Sequence, residues 1–411
     1  MPTSPPVPTV HLVVGTRPEA IKLAPLALAL RRAGLVEPVL VATGQHPTMV
    51  AQALAAFGLA PDVICQLHRT TGEQVELVAE LAPALDAVVA PSSAVVVQGD
   101  TTSALVGGLV AMWRRIPVVH LEAGLRSGDL AAPYPEEANR RLIGVFADLH
   151  LAPTTRAAAA LRAEAAAVAA DASAVATAER NVLMVGNTVV DAVLAVAAGV
   201  TDPAAAEPDD ERLAAVHREV AAGRSRLLLV TAHRRESWGA PLDGVLAAVA
   251  QIVDEHPDLV CVLPAHANPT VRAQVDLALG GHPRVLVTDP LPYPELCRLL
   301  ARSTLVLSDS GGIQEEAPSF EVPVLVLRDV TERKEAVESG WAQLVGTDPS
   351  RIISAAKSAL GGDWTRPEVD NPFGDGRAAE RSAQAVAWLL GLAERPAELA
   401  TPGVPDHTTV G

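Results

Sequence analysis

Asp309-Ser310-Gly311-Gly312 runs directly into Ile313-Gln314-Glu315-Glu316-Ala317-Pro318. Small residues at a helix start let a phosphate approach unpaired backbone N–H groups. Glu316, about one turn further on, offers two acceptor oxygens to a pair of vicinal ribose hydroxyls. The plainer account is an N-cap Ser310 followed by first-turn acids, and Ser-Gly-Gly alone favours it. Further charged residues then recur at the ends of apolar runs. Gly15-Thr16-Arg17-Pro18-Glu19 passes from a strand through a turn into a helix, with Lys22 about one turn on. Proline suits a first helical position, and Arg17 beside that helix start suits a diphosphate or, more plainly, a surface ion pair. Asp100, in Gln98-Gly99-Asp100-Thr101-Thr102, stands at the next strand end and, taken alone, reads first as an N-cap. Glu122, in His120-Leu121-Glu122-Ala123-Gly124-Leu125-Arg126, is harder to explain structurally, because carboxylates are rarely buried unpaired. Glu136 and Arg140, in Pro135-Glu136-Glu137-Ala138-Asn139-Arg140, have i,i+4 spacing, for which a solvated ion pair is the simple account. Three carboxylates meeting in one cleft would instead divide acid and base roles. His233, in His233-Arg234-Arg235-Glu236-Ser237, and His266 add groups able to hold a departing phosphate.

Residues 10–14, 39–42, 94–98, 118–121, 227–231, 259–263, 285–287, 305–307 and 324–327 are short apolar runs separated by helical patterns. This is the βαβ signature of parallel sheets covered on both faces. The predicted fold class is therefore α/β, two Rossmann-like domains with a central cleft. The expected division is 1–185 and 186–376, a helix over 377–395 returning toward the first domain, and a disordered tail over 396–411. An alanine-rich insertion at about 157–180 is expected to be a surface helix or a mobile segment.

At 411 residues the chain exceeds the usual size of a single core, and its net charge of −16 disfavours nucleic acid or an anionic membrane as partner. Cys65, Cys261 and Cys297 are odd in number and lack metal-ligand spacing, which fits a reducing compartment. No apolar run reaches spanning length and the N-terminus lacks a signal-peptide pattern, so a cytoplasmic location is expected. Neither a Walker lysine motif nor G-x-G-x-x-G is present, and no metal or cofactor is expected.

The ordered set of motifs, from Gly15-Thr16-Arg17-Pro18-Glu19 to Asn371-Pro372-Phe373-Gly374-Asp375-Gly376, resembles the non-hydrolysing bacterial UDP-N-acetylglucosamine 2-epimerase family over residues 9–395. The resemblance implies a GT-B type architecture, a homodimer, and UDP-GlcNAc and UDP-ManNAc as ligands. By the same resemblance Asp100, Glu122, Glu136 and His233 are catalytic, with Asp100 one proton-transfer group. Arg17, Lys22, Arg140, His266, Ser310, Gly311, Gly312 and Glu316 bind substrate, and Gln45 and His46 mark a regulatory substrate site. The implied reaction eliminates UDP across C1–C2 to give 2-acetamidoglucal, then adds UDP back with inverted C2. Leu296, where relatives often carry Phe, and the residues after Gln45-His46 depart from the family pattern. Three alternatives stay open on the residues themselves: a hydrolysing epimerase releasing ManNAc, a glycosyltransferase of the same architecture, and a UDP-sugar sensor without turnover.

Overall fold

The computed structural model describes residues 7–168, 171, 173, 179–200, 208, 210–232 and 238–400. Runs of Val, Leu and Ile become strands because their side chains fill a pleated surface buried on both faces. β1 (Thr9–Val14), β2 (Glu37–Ala42), β3 (Val63–Ile64), β4 (Ala94–Gln98), β5 (Val118–Leu121), β6 (Leu149–Ala152) and β7 (Val182–Met184) form one sheet, ordered β3-β2-β1-β4-β5-β6-β7. A second sheet is ordered β10-β9-β8-β11-β12-β13. Its strands are β8 (Arg226–Thr231), β9 (Leu259–Pro264), β10 (Val285–Thr288), β11 (Leu305–Ser308), β12 (Val324–Val326) and β13 (Ala342–Leu344). Every pairing is parallel, so the loops leaving the strands collect at one end of each sheet. Strand order reverses between β1 and β4 in the first sheet and between β8 and β11 in the second, the points where doubly wound sheets receive ligands.

The chain divides into two compact units, one running through Ala192 and resuming at Phe373, the other Val193–Pro372. The crossings therefore lie at 192/193 and 372/373, where the sequence placed them at 185/186 and 376/377. Hydrogen bonds account for the difference. Asn187 N donates to Phe373 O at 2.7 Å, and the Asp191 carboxylate accepts from Ala378 N at 3.1 Å and Ala379 N at 2.8 Å. Both segments thereby belong to the first unit, and the helix Ala378–Leu389 packs against the helix Arg17–Ala33.

The alanine-rich stretch begins as the helix Thr155–Val168, which buries Ala157, Ala158 and Leu161; residues 169, 170, 172 and 174–178 of it lie outside the described residues. Part of the expected disordered tail is docked. Leu399 N donates to Met184 O at 2.7 Å, and Glu398 accepts from Met184 N and Arg162 at 3.0 Å each. The open edge of β7 supplies those backbone groups. Residues 401–411 lie outside the described residues.

Candidate active site

At the end of β1 the chain turns tightly at Gly15, where a Cβ would lie 2.1 Å from Ser103 Oγ. Thr16 is the N-cap of the helix Arg17–Ala33, placing half-buried Arg17 at its first position and Pro18 at its second. Glu19 is wholly buried beneath this loop. Its two oxygens accept from Gly15 N at 3.0 Å and from Thr101 Oγ1 at 2.6 Å. Burial pushes its carboxyl up to about 7, against the pull of those donors. Thr101 also caps the helix Thr102–Trp113 by accepting from Ala104 N at 3.0 Å. Glu19 and Thr101 thus join the loop that carries Arg17 to the loop that carries Asp100.

Asp100 leaves β4 and meets Arg140, whose Nε donates to Oδ2 at 2.7 Å. Asn139 Nδ2 holds the Asp100 carbonyl at 2.8 Å. The i,i+4 pair expected between Glu136 and Arg140 is replaced by this longer-range contact. Arg140 turns inward because the neighbouring Glu137 is completely buried and needs cations, receiving Arg140 Nη1 and Arg141 Nε at 3.1 Å each and Ser127 N at 2.9 Å. Burial raises the Glu137 carboxyl, but these donors outweigh it and hold the group below the usual carboxylate range. Glu136 opens the helix Glu136–Phe146, half-buried and with no polar partner among the described residues. Of the three expected acids it is the one left without a contact.

Glu122 follows β5 in a left-handed conformation, φ 60°, which a non-glycine residue adopts only when its surroundings hold it there. Its Oε1 receives Lys22 Nζ at 2.5 Å and Asn187 Nδ2 at 3.1 Å, and its Oε2 receives Gln98 Nε2. The sequence pointed Lys22 toward phosphate; in the fold it is salt-bridged to Glu122. Two residues before Glu122, His120 donates Nε2–H to Gly99 O at 2.8 Å and so braces the turn between Gln98 and Asp100. Burial brings His120 down to about 4 and leaves it neutral near pH 7.

In the second unit, Ser310 is the N-cap of the short helix Gly311–Glu316, but its side chain makes no capping bond, contrary to the plain N-cap account. The helix backbone sits tightly against Arg333, since a Cβ on Gly311 would lie 2.9 Å from Arg333 Cζ. Arg333 is fixed by Glu315 at 2.9 Å. Gly312 follows on the same turn, and Glu316 is buried, receiving the Tyr293 hydroxyl at 3.4 Å. His266 follows β9, with Nδ1 accepting from Asn268 N at 3.0 Å and its ring 5.5 Å from that of Trp238. His233, together with Arg234, Arg235, Glu236 and Ser237, lies outside the described residues.

Gln45 accepts from Ser103 Oγ at 2.8 Å, and its backbone N donates to Thr43 Oγ1 at 3.4 Å. His46 beside it is lowered by burial and by the charge on Arg69. Among the described residues no three His, Cys, Asp or Glu side chains gather in a metal-binding group. Nor, among them, is any helix long and apolar enough to cross a membrane. Gln98, Glu19 and Glu137 stood inside motifs, but not as site residues, and Asn187 stood in none of them. Their signal in sequence is only their place at a strand end or next to a charged neighbour.

Residues 28–387 match the family model described as UDP-N-acetylglucosamine 2-epimerase. The probable UDP-N-acetylglucosamine 2-epimerase of Ralstonia nicotianae is 40% identical over 384 residues, covering 92% of this chain and 98% of that protein. Among solved structures, the S. aureus MnaA–UDP co-structure is 37% identical with a TM-score of 0.82, over 96% of this chain and 100% of that one. The UDP-GlcNAc 2-epimerase from Neisseria meningitidis bound to UDP-GlcNAc is 33% identical with a TM-score of 0.82, over 92% of this chain and 100% of that one. With the motifs falling at strand ends of two doubly wound sheets, these likenesses place the chain in the UDP-N-acetylglucosamine 2-epimerase family.

Proposed function

We propose that the protein interconverts UDP-GlcNAc and UDP-ManNAc without net hydrolysis. A base removes the C2 proton while the C1–O bond to UDP breaks, giving 2-acetamidoglucal and UDP. UDP then adds back at C1 as a proton is delivered to the opposite face of C2. The observation that carries this reading is the pair of carboxylates at neighbouring strand ends, each held by its own cation: Asp100 by Arg140 and Glu122 by Lys22. Fixed, differently surrounded acids are what proton removal and redelivery require.

Asp100 is the more open of the two, its side chain 24% exposed against 7% for Glu122, and it is assigned as one proton-transfer group. Glu122 and the uncommitted Glu136 share the remaining proton transfers. His233 and His266 stabilise departing UDP. Ser310, Gly311 and Gly312 take the phosphates, Glu316 takes the ribose hydroxyls, and Arg17 faces the diphosphate, with Lys22 and Arg140 as supporting cations. Gln45 and His46 are assigned to a second, regulatory substrate site.

We assign the protein to the cytoplasm as a homodimer. Trp113, Leu142 and Val145 support a second copy: they are exposed on the packed helices Thr102–Trp113 and Glu136–Phe146, where apolar side chains favour burial.

The test is proton and phosphorus NMR of the protein with UDP-GlcNAc in deuterated water. UDP-ManNAc carrying deuterium at C2, with little free UDP, is the expected result. Stoichiometric UDP and free ManNAc would replace it with the hydrolysing reaction, and absence of C2 exchange would refute turnover by this mechanism.

A further inference from the structure

Asn187 stands five residues before the chain leaves the first unit, and Phe373 is the residue at which it re-enters. The two crossings are clasped there by the bond from Asn187 N to Phe373 O at 2.7 Å. The same asparagine, 2% exposed, makes two side-chain bonds. Oδ1 accepts from Val189 N at 3.0 Å, at the start of the helix Thr188–Val200, and Nδ2 donates to Glu122 Oε1 at 3.1 Å. These partners dictate the amide orientation. Turned over, the NH2 would face the Val189 N–H and the oxygen would face a carboxylate.

Glu122 has two oxygens and three donors, with Lys22 and Asn187 sharing Oε1 and Gln98 on Oε2. The lysine lies on a helix and the glutamine on β4, each from a different direction. Without Asn187, Oε1 is held by Lys22 alone and the carboxylate is able to pivot toward it. The left-handed backbone at Glu122 adds to the need for such restraint, since nothing intrinsic to the residue favours φ 60°.

We infer that Asn187 is a positioning residue for Glu122, and that through it the junction where the chain leaves and re-enters the first unit fixes the angle of that carboxylate. This rests on the epimerase reading of Glu122. Asn187 itself transfers no proton. It supplies an N–H that keeps the carboxylate plane in register with Lys22 and Gln98, so a disturbance at the crossing reaches the reacting group through a single amide.

Helix capping and positioning are separable by substitution. Asn187→Asp and Asn187→Ser both retain an acceptor for Val189 N, since Asp and Ser are good N-cap residues, but neither supplies the donor to Glu122. Asp further places a second carboxylate against the first. A purely structural role leaves both variants with wild-type kinetics. The positioning role predicts that Asn187→Ser keeps a Tm near wild type and a UDP Kd within about twofold, while kcat falls about 10- to 100-fold in both variants, the range expected when a reacting group is misplaced by about 1 Å; Asn187→Asp also lowers Tm, because it buries a second carboxylate beside Glu122. The inference is overturned if both variants keep kcat within about twofold of wild type.

Wild-type protein is assayed beside them for C2 exchange. If the wild type itself shows none, the epimerase reading fails, and a crystal structure of Asn187→Ser decides the inference by its geometry. A carboxylate swung off Gln98 toward Lys22 upholds it, and an unmoved carboxylate overturns it.

Discussion

Replacing Glu19 with Gln is predicted to change how stability varies with pH. Glu19 is wholly buried, and its carboxyl rises from 4.5 to about 7 because burial disfavours the charged form. The folded protein therefore binds a proton more tightly at this site than the unfolded chain does. Its stabilising contribution is fully present below about pH 4.5 and is lost as pH rises through about 7. At 1.36 kcal/mol per pH unit, that interval corresponds to about 3 kcal/mol. Glutamine has the shape of the protonated acid and does not titrate. It can still accept from Gly15 N and present an N–H to Thr101 Oγ1. Urea denaturation of both proteins at pH 5, 6, 7 and 8, followed by circular dichroism through the transition of the first unit, isolates the effect. Other titrating groups are common to both chains and cancel in the difference. Between pH 5 and 8 Glu19→Gln should gain on the wild type by about 2.5 kcal/mol, since part of the contribution is already lost at pH 5. Parallel stability curves would refute a buried, titrating Glu19.

Two further substitutions test the frame around the proposed site. Arg140→Met leaves Asp100 without its guanidinium and removes one of two cations from buried Glu137, and is expected to destabilise the first unit by about 3 kcal/mol; an unchanged Tm would show that Arg141 alone suffices. Gly311→Ala puts a methyl group 2.9 Å from Arg333 Cζ, which Glu315 holds in place, so the second unit should lose about 1–3 kcal/mol and bind UDP more weakly, measured by denaturation and titration calorimetry. Wild-type stability and affinity together would mean that Arg333 yields without consequence.

The strands legible in sequence were those with uninterrupted apolar runs, such as β4 and β8, which lie inside their sheets. β3, β7 and β13 escaped notice because each is an edge strand of two or three residues. β6 was hidden by His150, a polar residue that the fold nonetheless covers and brings down to about 3 by burial. Within the candidate site, Asp100 and Glu122 were visible as acids at strand ends. Their partners were not, because Lys22 is 100 residues from Glu122 and Arg140 is 40 residues from Asp100. Local spacing suggested Glu136 for Arg140, yet burial of Glu137 and the approach of β4 decided otherwise. Asn187 could not be found from its sequence neighbours, since its role depends on a residue 65 positions away.

The discontinuity of the first unit has a consequence for biogenesis. As the chain emerges from a ribosome, residues through Ala192 appear first, but the helix Ala378–Leu389 that covers Arg17–Ala33 is synthesised only after the whole of Val193–Pro372. For that interval the nascent first unit exposes apolar surface that the mature protein buries, while the second unit, continuous in sequence, has every residue it needs. Translation thus favours completion of the later-encoded unit ahead of the earlier one, and leaves the unfinished unit as the natural client of a chaperone.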